Sequence, residues 1–144
     1  MRLATYLALL GSLASCAVSE ERKHDVAMDQ IERSIRLPEG ALPLDSYARY
    51  YTEYKGKIHG AFTTEFEVRS PDTRCAEMPA DGGEIKDIKC PKVADLRLGK
   101  RRWVDFADYP AVAGENCRAV QLVYDPEAKK IEHLECPEPL GNYE

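Results

Sequence analysis

The stretch that decides the fold is residues 117–136, CRAVQLVYDPEAKKIEHLEC, which has the pattern of a β-hairpin. Its two halves are rich in strand-forming residues, and between them stands Asp125-Pro126-Glu127-Ala128, a typical turn with proline in second position. If the two central residues of this turn form the loop, the register sets Cys117 opposite Cys136 and Arg118 opposite Glu135. The hairpin therefore predicts its own disulfide.

Four cysteines lie beyond the N-terminal segment, and an even number is typical of disulfides formed in an oxidising compartment. Since the hairpin joins Cys117 to Cys136, elimination predicts the second disulfide between Cys75 and Cys90. Metal binding is the alternative, but the chain has no Cys-x-x-Cys pair and its three histidines are scattered. We therefore predict two disulfides and no metal site.

A second hairpin is predicted around Lys55-Gly56, a two-residue turn that follows a tyrosine-rich segment. Its register places Tyr51 opposite Gly60, where an aromatic ring can cover the bare backbone of a strand glycine. The tyrosines also fit helical spacing, so a helix stays the alternative. Tyrosines in such a stripe form either the edge of a core or a platform for a ligand. The face shared in the hairpin consists of Tyr47, Tyr51, Ile58 and Phe62.

Upstream of the hairpins, residues 26–36 place apolar side chains at helical spacing, with charged side chains on the other face. Asp25 can cap this helix, and Pro38 and Gly40 end it. The fold class is therefore predicted as α+β. One N-terminal helix packs on an antiparallel sheet of about four to six strands built from hairpins. This single domain spans residues 25–144.

Residues 70–91 are predicted to form a long loop, because Pro and Gly are frequent and large apolar side chains are few. The predicted bridge between Cys75 and Cys90 would hold this loop in place. Beyond it, residues 93–98 and 101–106 have the composition of two further strands.

The concentrated positive charge of the chain is Lys100-Arg101-Arg102, directly beside Trp103. As a candidate binding site, these four residues would take an acidic or sugar-like ligand through charge and stacking on the indole. The alternative, which we favour, is that these charges lie on an edge strand and discourage aggregation.

The N-terminus has the layout of an export signal: a positive charge at Arg2, an apolar run over residues 3–10, and then small residues. The run is too short to span a bilayer. Its end, Leu13-Ala14-Ser15-Cys16, resembles the lipobox of bacterial lipoproteins. In that family the signal is cut before the cysteine, which is thioether-linked to diacylglycerol and usually acylated at its new N-terminus.

The resemblance implies a lipoprotein signal peptide over residues 1–15, lipidation of Cys16 and a flexible tether over residues 16–24. In many Gram-negative bacteria an Asp after this cysteine retains the protein in the inner membrane. Because Ala17 stands there, the resemblance implies the inner leaflet of the outer membrane, facing the periplasm. The alternative is an ordinary secretory signal. Elsewhere the chain is loosely similar to small uncharacterised proteobacterial envelope lipoproteins, which implies no activity.

The net charge and the absence of known catalytic motifs exclude several classes of function. The 144-residue chain has a formal charge of −5, which argues against nucleic acid as a partner. It contains no Gly-x-Ser-x-Gly, no His-Glu-x-x-His and no glycine-rich phosphate loop, so we predict no catalytic residue and no cofactor.

The sequence therefore predicts a noncatalytic binding or envelope-structural lipoprotein. Its partners would be the membrane, through the lipid anchor, and a periplasmic protein or cell-wall ligand. Two alternatives stay open: a small periplasmic hydrolase whose site is assembled from distant residues, and an inhibitor of a cationic cell-wall enzyme, which the acidic charge would suit.

Overall fold

The computed structural model describes residues 11–66, 74–77, 83–84, 86–90 and 94–138. The chain divides into two compact units, Met1–Ile35 and Arg36–Glu144. Among the described residues, the first unit contains one helix and the second contains the sheets. This composition agrees with the α+β class, whereas the packing of the helix on the sheet stays a prediction.

Helix α1 spans Gly11–Ser34 and is longer at its start than the predicted residues 26–36. Residues 16–24, expected to form a flexible tether, are helical. Most residues of this charged segment are good helix formers, and Lys23 pairs with Glu20 at 2.7 Å one turn away. The apolar pattern could not reveal this part, since it carries no apolar stripe. No helix in the described part of the chain is long and apolar enough to cross a membrane.

The described residues of the second unit form seven strands and three short 3-10 turns. The strands are β1 (Ala48–Tyr54), β2 (Lys57–Thr63), β3 (Cys75–Glu77), β4 (Lys86–Ile88), β5 (Arg101–Trp103), β6 (Ala119–Asp125) and β7 (Lys130–Glu135). The turns are Leu44–Ser46, Phe106–Asp108 and Glu115–Cys117. Five strands form the main sheet in the order β5-β1-β2-β6-β7, and β3 and β4 form a separate ribbon.

The main sheet is mixed, so the prediction of an antiparallel sheet of hairpins is only partly right. The pairs β1–β2, β2–β6 and β6–β7 are antiparallel, but β5 lies parallel to β1. The chain leaves the sheet after β2 and returns on the far side of β1, running in the direction of β1. The connection thus passes across β1 and joins two strands that are not neighbours, and no local turn pattern reveals such a placement.

The hairpin of β1 and β2 confirms the predicted turn and register. Lys55 and Gly56 have positive φ values of 52° and 74°, as the type I′ turn of a two-residue hairpin loop requires. Tyr51 lies opposite Gly60, as predicted. The helical alternative for the tyrosines is therefore wrong. A Cβ atom on Gly60 would lie 2.8 Å from Leu122 Cγ and 3.2 Å from Phe62 Cε1. A side chain at this position would thus first meet Leu122 and Phe62.

The hairpin of β6 and β7 has a different register from the predicted one. Glu135 lies opposite Gln121 and not Arg118, and the register shifts between Val123 and Tyr124 at a bulge or irregularity. The connection is longer than two residues, and Lys129 within it adopts a left-handed φ of 51°. The proline was a correct sign of the turn but did not fix its length.

Both predicted disulfides are confirmed, with Cα–Cα distances of 5.0 Å for Cys75–Cys90 and 4.9 Å for Cys117–Cys136. The hairpin register from which Cys117–Cys136 was predicted is nevertheless wrong, because Cys117 precedes β6 and does not lie within it. Asn116 and Cys117 have left-handed φ values of 53° and 56°. This reversal of the chain brings Cys117 to Cys136.

The segment predicted as a loop, residues 70–91, contains the antiparallel ribbon of β3 and β4, in which Cys75 lies opposite Ile88. Of the predicted strands that follow, residues 94–98 form none, and residues 101–106 contain only the short β5. The Tyr50 hydroxyl accepts hydrogen bonds from the N–H groups of Asp95 and Leu96. The Tyr50 side chain therefore binds the backbone of a segment that was predicted to pair as a strand.

The tyrosine stripe forms core. The Phe62 ring lies 5.5 Å from the Tyr51 ring and 6.4 Å from the Tyr47 ring, measured between centroids. Tyr47, Tyr50 and Tyr51 are at most 2% exposed. On the opposite face of the sheet, a second cluster consists of Ala48, Tyr50, Ala61, Ala94, Val112 and Ala119. The platform interpretation therefore does not apply to the three buried tyrosines.

Candidate binding surface

The predicted basic cluster lies on and beside an edge strand. Lys100 directly precedes β5, and the other three residues form this strand. Side chains alternate between the faces of a strand, so Arg101 and Trp103 share one face and Arg102 points to the other. The sequence neighbours therefore do not form one continuous surface.

Arg102 is engaged by an acidic neighbour on its own face. Its Nη1 atom lies 3.3 Å from Asp95 Oδ1, and both side chains are about half exposed or more. An exposed pair of this kind contributes little stability. The positions of the charges agree with the alternative from the sequence, because charged side chains on an edge strand hinder pairing with a second chain.

A buried cation that the sequence analysis missed, Arg49, fixes the chain beside β5. Its side chain is 6% exposed, and Nη1 donates to the Leu44 carbonyl at 2.8 Å and to Asp45 Oδ1 at 3.2 Å. Gly99, in the turn before β5, has a φ of 76°, and a Cβ atom there would lie 3.2 Å from the Asp45 carbonyl oxygen. Arg49 Nη2 also lies 3.5 Å from the Gly99 carbonyl oxygen, so this side chain connects the turn Leu44–Ser46 to the turn before β5.

Next to this edge, two aromatic rings stack at the protein surface. Tyr54 ends β1, and Phe106 begins the turn Phe106–Asp108; their centroids are 4.1 Å apart with 12° between the planes. Tyr54 is 38% exposed and Phe106 is 51% exposed. The Lys55 Nζ atom lies over the Tyr54 ring, 5.0 Å from its centroid. We call Lys55, Tyr54 and Phe106 the aromatic column.

The aromatic column was not predicted, because Phe106 was assigned to the end of a strand and Tyr54, in the tyrosine-rich segment, was not given a place on the shared face. One sequence feature could have indicated it. Phe106 stands between Asp105 and Asp108 in a polar segment, where a large aromatic side chain has no core to join. His59 on β2 adds an edge-on ring contact to Tyr54 at 6.1 Å.

A second group of charges joins the turn ends of the two hairpins. Lys57 Nζ donates to Asp125 Oδ2 and to Glu132 Oε1. The hydrogen bond from Lys57 is the largest cause that lowers the pKa of the Asp125 carboxyl, and the hydrogen bond from the Ala128 N–H lowers this pKa further. Asp125 Oδ1 accepts the N–H groups of Glu127 and Ala128 and so closes the turn. These contacts connect the two hairpins and close the turn between β6 and β7.

Within the described ranges, no group of three His, Cys, Asp or Glu side chains could hold a metal ion. Cys16, the predicted site of lipidation, lies in the sequence of α1. Comparisons of the chain with protein-family models, with curated proteins and with solved structures find no match. The function is therefore inferred from the residues of this chain alone.

Proposed function

We propose that this protein is a lipoprotein of the bacterial envelope, anchored through Cys16 in the outer membrane, with a noncatalytic binding or structural role in the periplasm. The observation that carries the proposal is the pairing of the cysteines. Four of the five form disulfides, which persist in oxidising compartments outside the cytosol. The one cysteine outside these pairs is Cys16, at the end of the segment that resembles a lipobox.

Anchoring follows from the chemistry of that segment. A single acyl chain gives only marginal membrane binding, whereas the two or three chains of a processed lipoprotein hold a domain firmly. The helix of the described residues is not itself long and apolar enough to cross a membrane. Lipid on Cys16 would therefore supply the attachment.

The hydrogen bonds made by three buried polar side chains support a noncatalytic role. Arg49, Tyr47 and Tyr50 are each buried, and each binds backbone groups of a neighbouring segment. Their polar atoms hold the fold together. The aromatic column, in contrast, is exposed and is suited to contact another molecule.

The proposal is tested by fractionation of cells that express the full chain. We expect the protein in the membrane fraction after high-salt washing, with a radiolabelled fatty acid incorporated. Cys16→Ser should abolish the label and leave the protein with its signal uncut. The matched control, Cys75→Ser with Cys90→Ser, also replaces cysteine by serine, at a disulfide, and should retain the label.

The outer-membrane assignment has its own test in a Gram-negative host. Ala17→Asp should move the protein from the outer to the inner membrane on a density gradient, without loss of the lipid label. A Cys16→Ser protein that is still cut and stays with the membrane in high salt would contradict lipidation. An Ala17→Asp protein that stays in the outer membrane would contradict the sorting assignment alone.

A further inference from the structure

We infer that the outer face of Phe106, at the end of the aromatic column, binds the guanidinium group of an arginine presented by a basic partner protein. The inference rests on the proposed binding role and names the chemistry of the partner. It does not depend on the lipid anchor.

The first step concerns which surface of Phe106 is open. The ring stacks on Tyr54 at 4.1 Å, so one of its faces is covered, yet the residue is 51% exposed. The exposed half is therefore the opposite face and the edge. Other large aromatic residues of this unit, such as Tyr50 and Phe62, are at most 2% exposed. The stacked rings of Tyr54 and Phe106 therefore form a flat apolar surface that is partly open to solvent.

The second step concerns the affinity of the column for a cation. Since Phe106 fills one face of the Tyr54 ring, the Lys55 ammonium group lies over the other. The negative potential above an aromatic face attracts such a charge. The column thus already takes a cation at its Tyr54 end, from this chain. Its Phe106 end presents the same kind of ring face to another molecule.

The third step concerns the acidic residues that flank Phe106 in the sequence. Asp105 directly precedes Phe106, and Asp108 closes the same short turn; both residues are exposed. A guanidinium group is planar, so it can stack on a ring while its N–H groups reach toward carboxylates. A lysine ammonium group lacks this planar geometry. The formal charge of −5 adds attraction for a basic partner at longer range.

The probe for this site is a fluorescent hexa-arginine peptide, titrated against the full chain in mild detergent at low salt and followed by anisotropy. Hexa-citrulline, which has nearly the same shape but no charge, should bind far more weakly. Phe106→Ala should weaken hexa-arginine binding about two- to fivefold. Phe66→Ala removes another phenylalanine, 40% exposed and remote in sequence, and should leave the affinity unchanged.

Charge variants separate a local site from attraction by the whole acidic chain. Asp105→Asn should weaken binding about twofold. Asp87→Asn makes the same change of charge on β4 and should have no effect. Phe106→Tyr keeps an aromatic face and should retain the affinity. An unchanged circular dichroism spectrum of Phe106→Ala excludes a folding defect as the reason for its loss of affinity.

Three results would overturn the inference. Equal losses in Phe106→Ala and Phe66→Ala would show that the ring of Phe106 is not a specific binding site. Similar affinities for hexa-arginine and hexa-citrulline would exclude a cation site. Binding of the sugar tetramer chitotetraose that is lost in Phe106→Ala, with hexa-arginine unaffected, would make the ring a glycan surface. Because no membrane is present, failure of lipidation changes none of these measurements.

Discussion

The Tyr47 hydroxyl donates a 2.7 Å hydrogen bond to the carbonyl oxygen of Cys117, a residue 70 positions later in the chain. The same hydroxyl accepts the N–H of Leu42 at 2.9 Å, and the tyrosine is fully buried. One side chain thus joins the segment before β1 to the disulfide-bonded turn before β6. A buried hydrogen bond with two backbone partners is costly to break.

Tyr47→Phe should lower the free energy of unfolding by about 0.5–1.5 kcal/mol, because it removes both hydrogen bonds and leaves a partly buried carbonyl and a partly buried N–H without their protein partner. Urea denaturation measures this change. Tyr124→Phe is the matched control. The Tyr124 hydroxyl is buried with no hydrogen-bond partner among the described residues, so its removal should be neutral or stabilising. Equal destabilisation by the two variants would contradict the role assigned to the Tyr47 hydroxyl.

Gly60→Ala should be destabilising through a clash between strands. The new Cβ would lie 2.8 Å from Leu122 Cγ and 2.9 Å from Leu122 Cδ2, closer than packed atoms approach. Overpacking of this kind costs about 1–3 kcal/mol. In a double-mutant cycle with Leu122→Ala, the combined loss should be smaller than the sum of the single losses. Strict additivity, measured by denaturation, would show that the two positions do not compete for space.

The sequence predicted those features that depend on short stretches of chain. Lys55-Gly56 determined the first hairpin because a two-residue turn leaves no freedom in the register. The disulfide pairs also followed, although for Cys117 the register used to derive the pair was wrong. Two left-handed residues place that cysteine, and Asn116 is the only one of them with a residue type that commonly adopts this conformation.

The features that the sequence did not predict depend on contacts between distant segments. β5 lies parallel to β1 because the chain passes across β1 after β2, and the turn before β5 is contacted by Arg49 from β1. The aromatic column likewise joins Tyr54 to Phe106, which belong to different elements. The basic cluster was found as a sequence feature, but its division between two faces follows only from the pleat of β5.

Stability in acid should depend on Asp125. Its hydrogen bond from Lys57 lowers the pKa of the carboxyl in the folded state, so the charged form is favoured by folding. This contribution is complete above the unfolded pKa of about 3.9 and is lost as the pH falls through the lower folded value. Asp125→Asn should therefore reduce the loss of stability below about pH 4.

The control for this prediction is Asp87→Asn, which removes an exposed carboxylate on β4. Denaturation curves recorded between pH 7 and pH 2 give the comparison. The Asp87 variant should follow the unsubstituted protein over the whole range. An Asp125 variant with the same steepness in acid would show that the pairing with Lys57 does not contribute to the pH dependence.

The two disulfides should differ in their effect on the main sheet. Cys117–Cys136 ties β7 to the turn before β6, and removing it should lower the free energy of unfolding by about 3 kcal/mol. Cys75–Cys90 closes a ribbon that is not part of this sheet, so its removal should change unfolding of the sheet less. Fluorescence of Trp103, the one tryptophan of the chain, reports the unfolding of β5. A larger effect of the Cys75 and Cys90 double serine variant would contradict this ranking.

The charges beside β5 should protect an edge of the sheet from association. Lys100→Thr with Arg102→Thr removes two of these charges and introduces residues that favour strands, so the edge should pair with other copies more readily. Light scattering at neutral pH should show faster aggregation than in the unsubstituted protein. Lys86→Thr with Lys89→Thr makes the same change of net charge around β4 and serves as the control. If both pairs aggregate at the same rate, net charge and not the position of Lys100 and Arg102 keeps the protein soluble, and the favoured interpretation of the basic cluster is wrong.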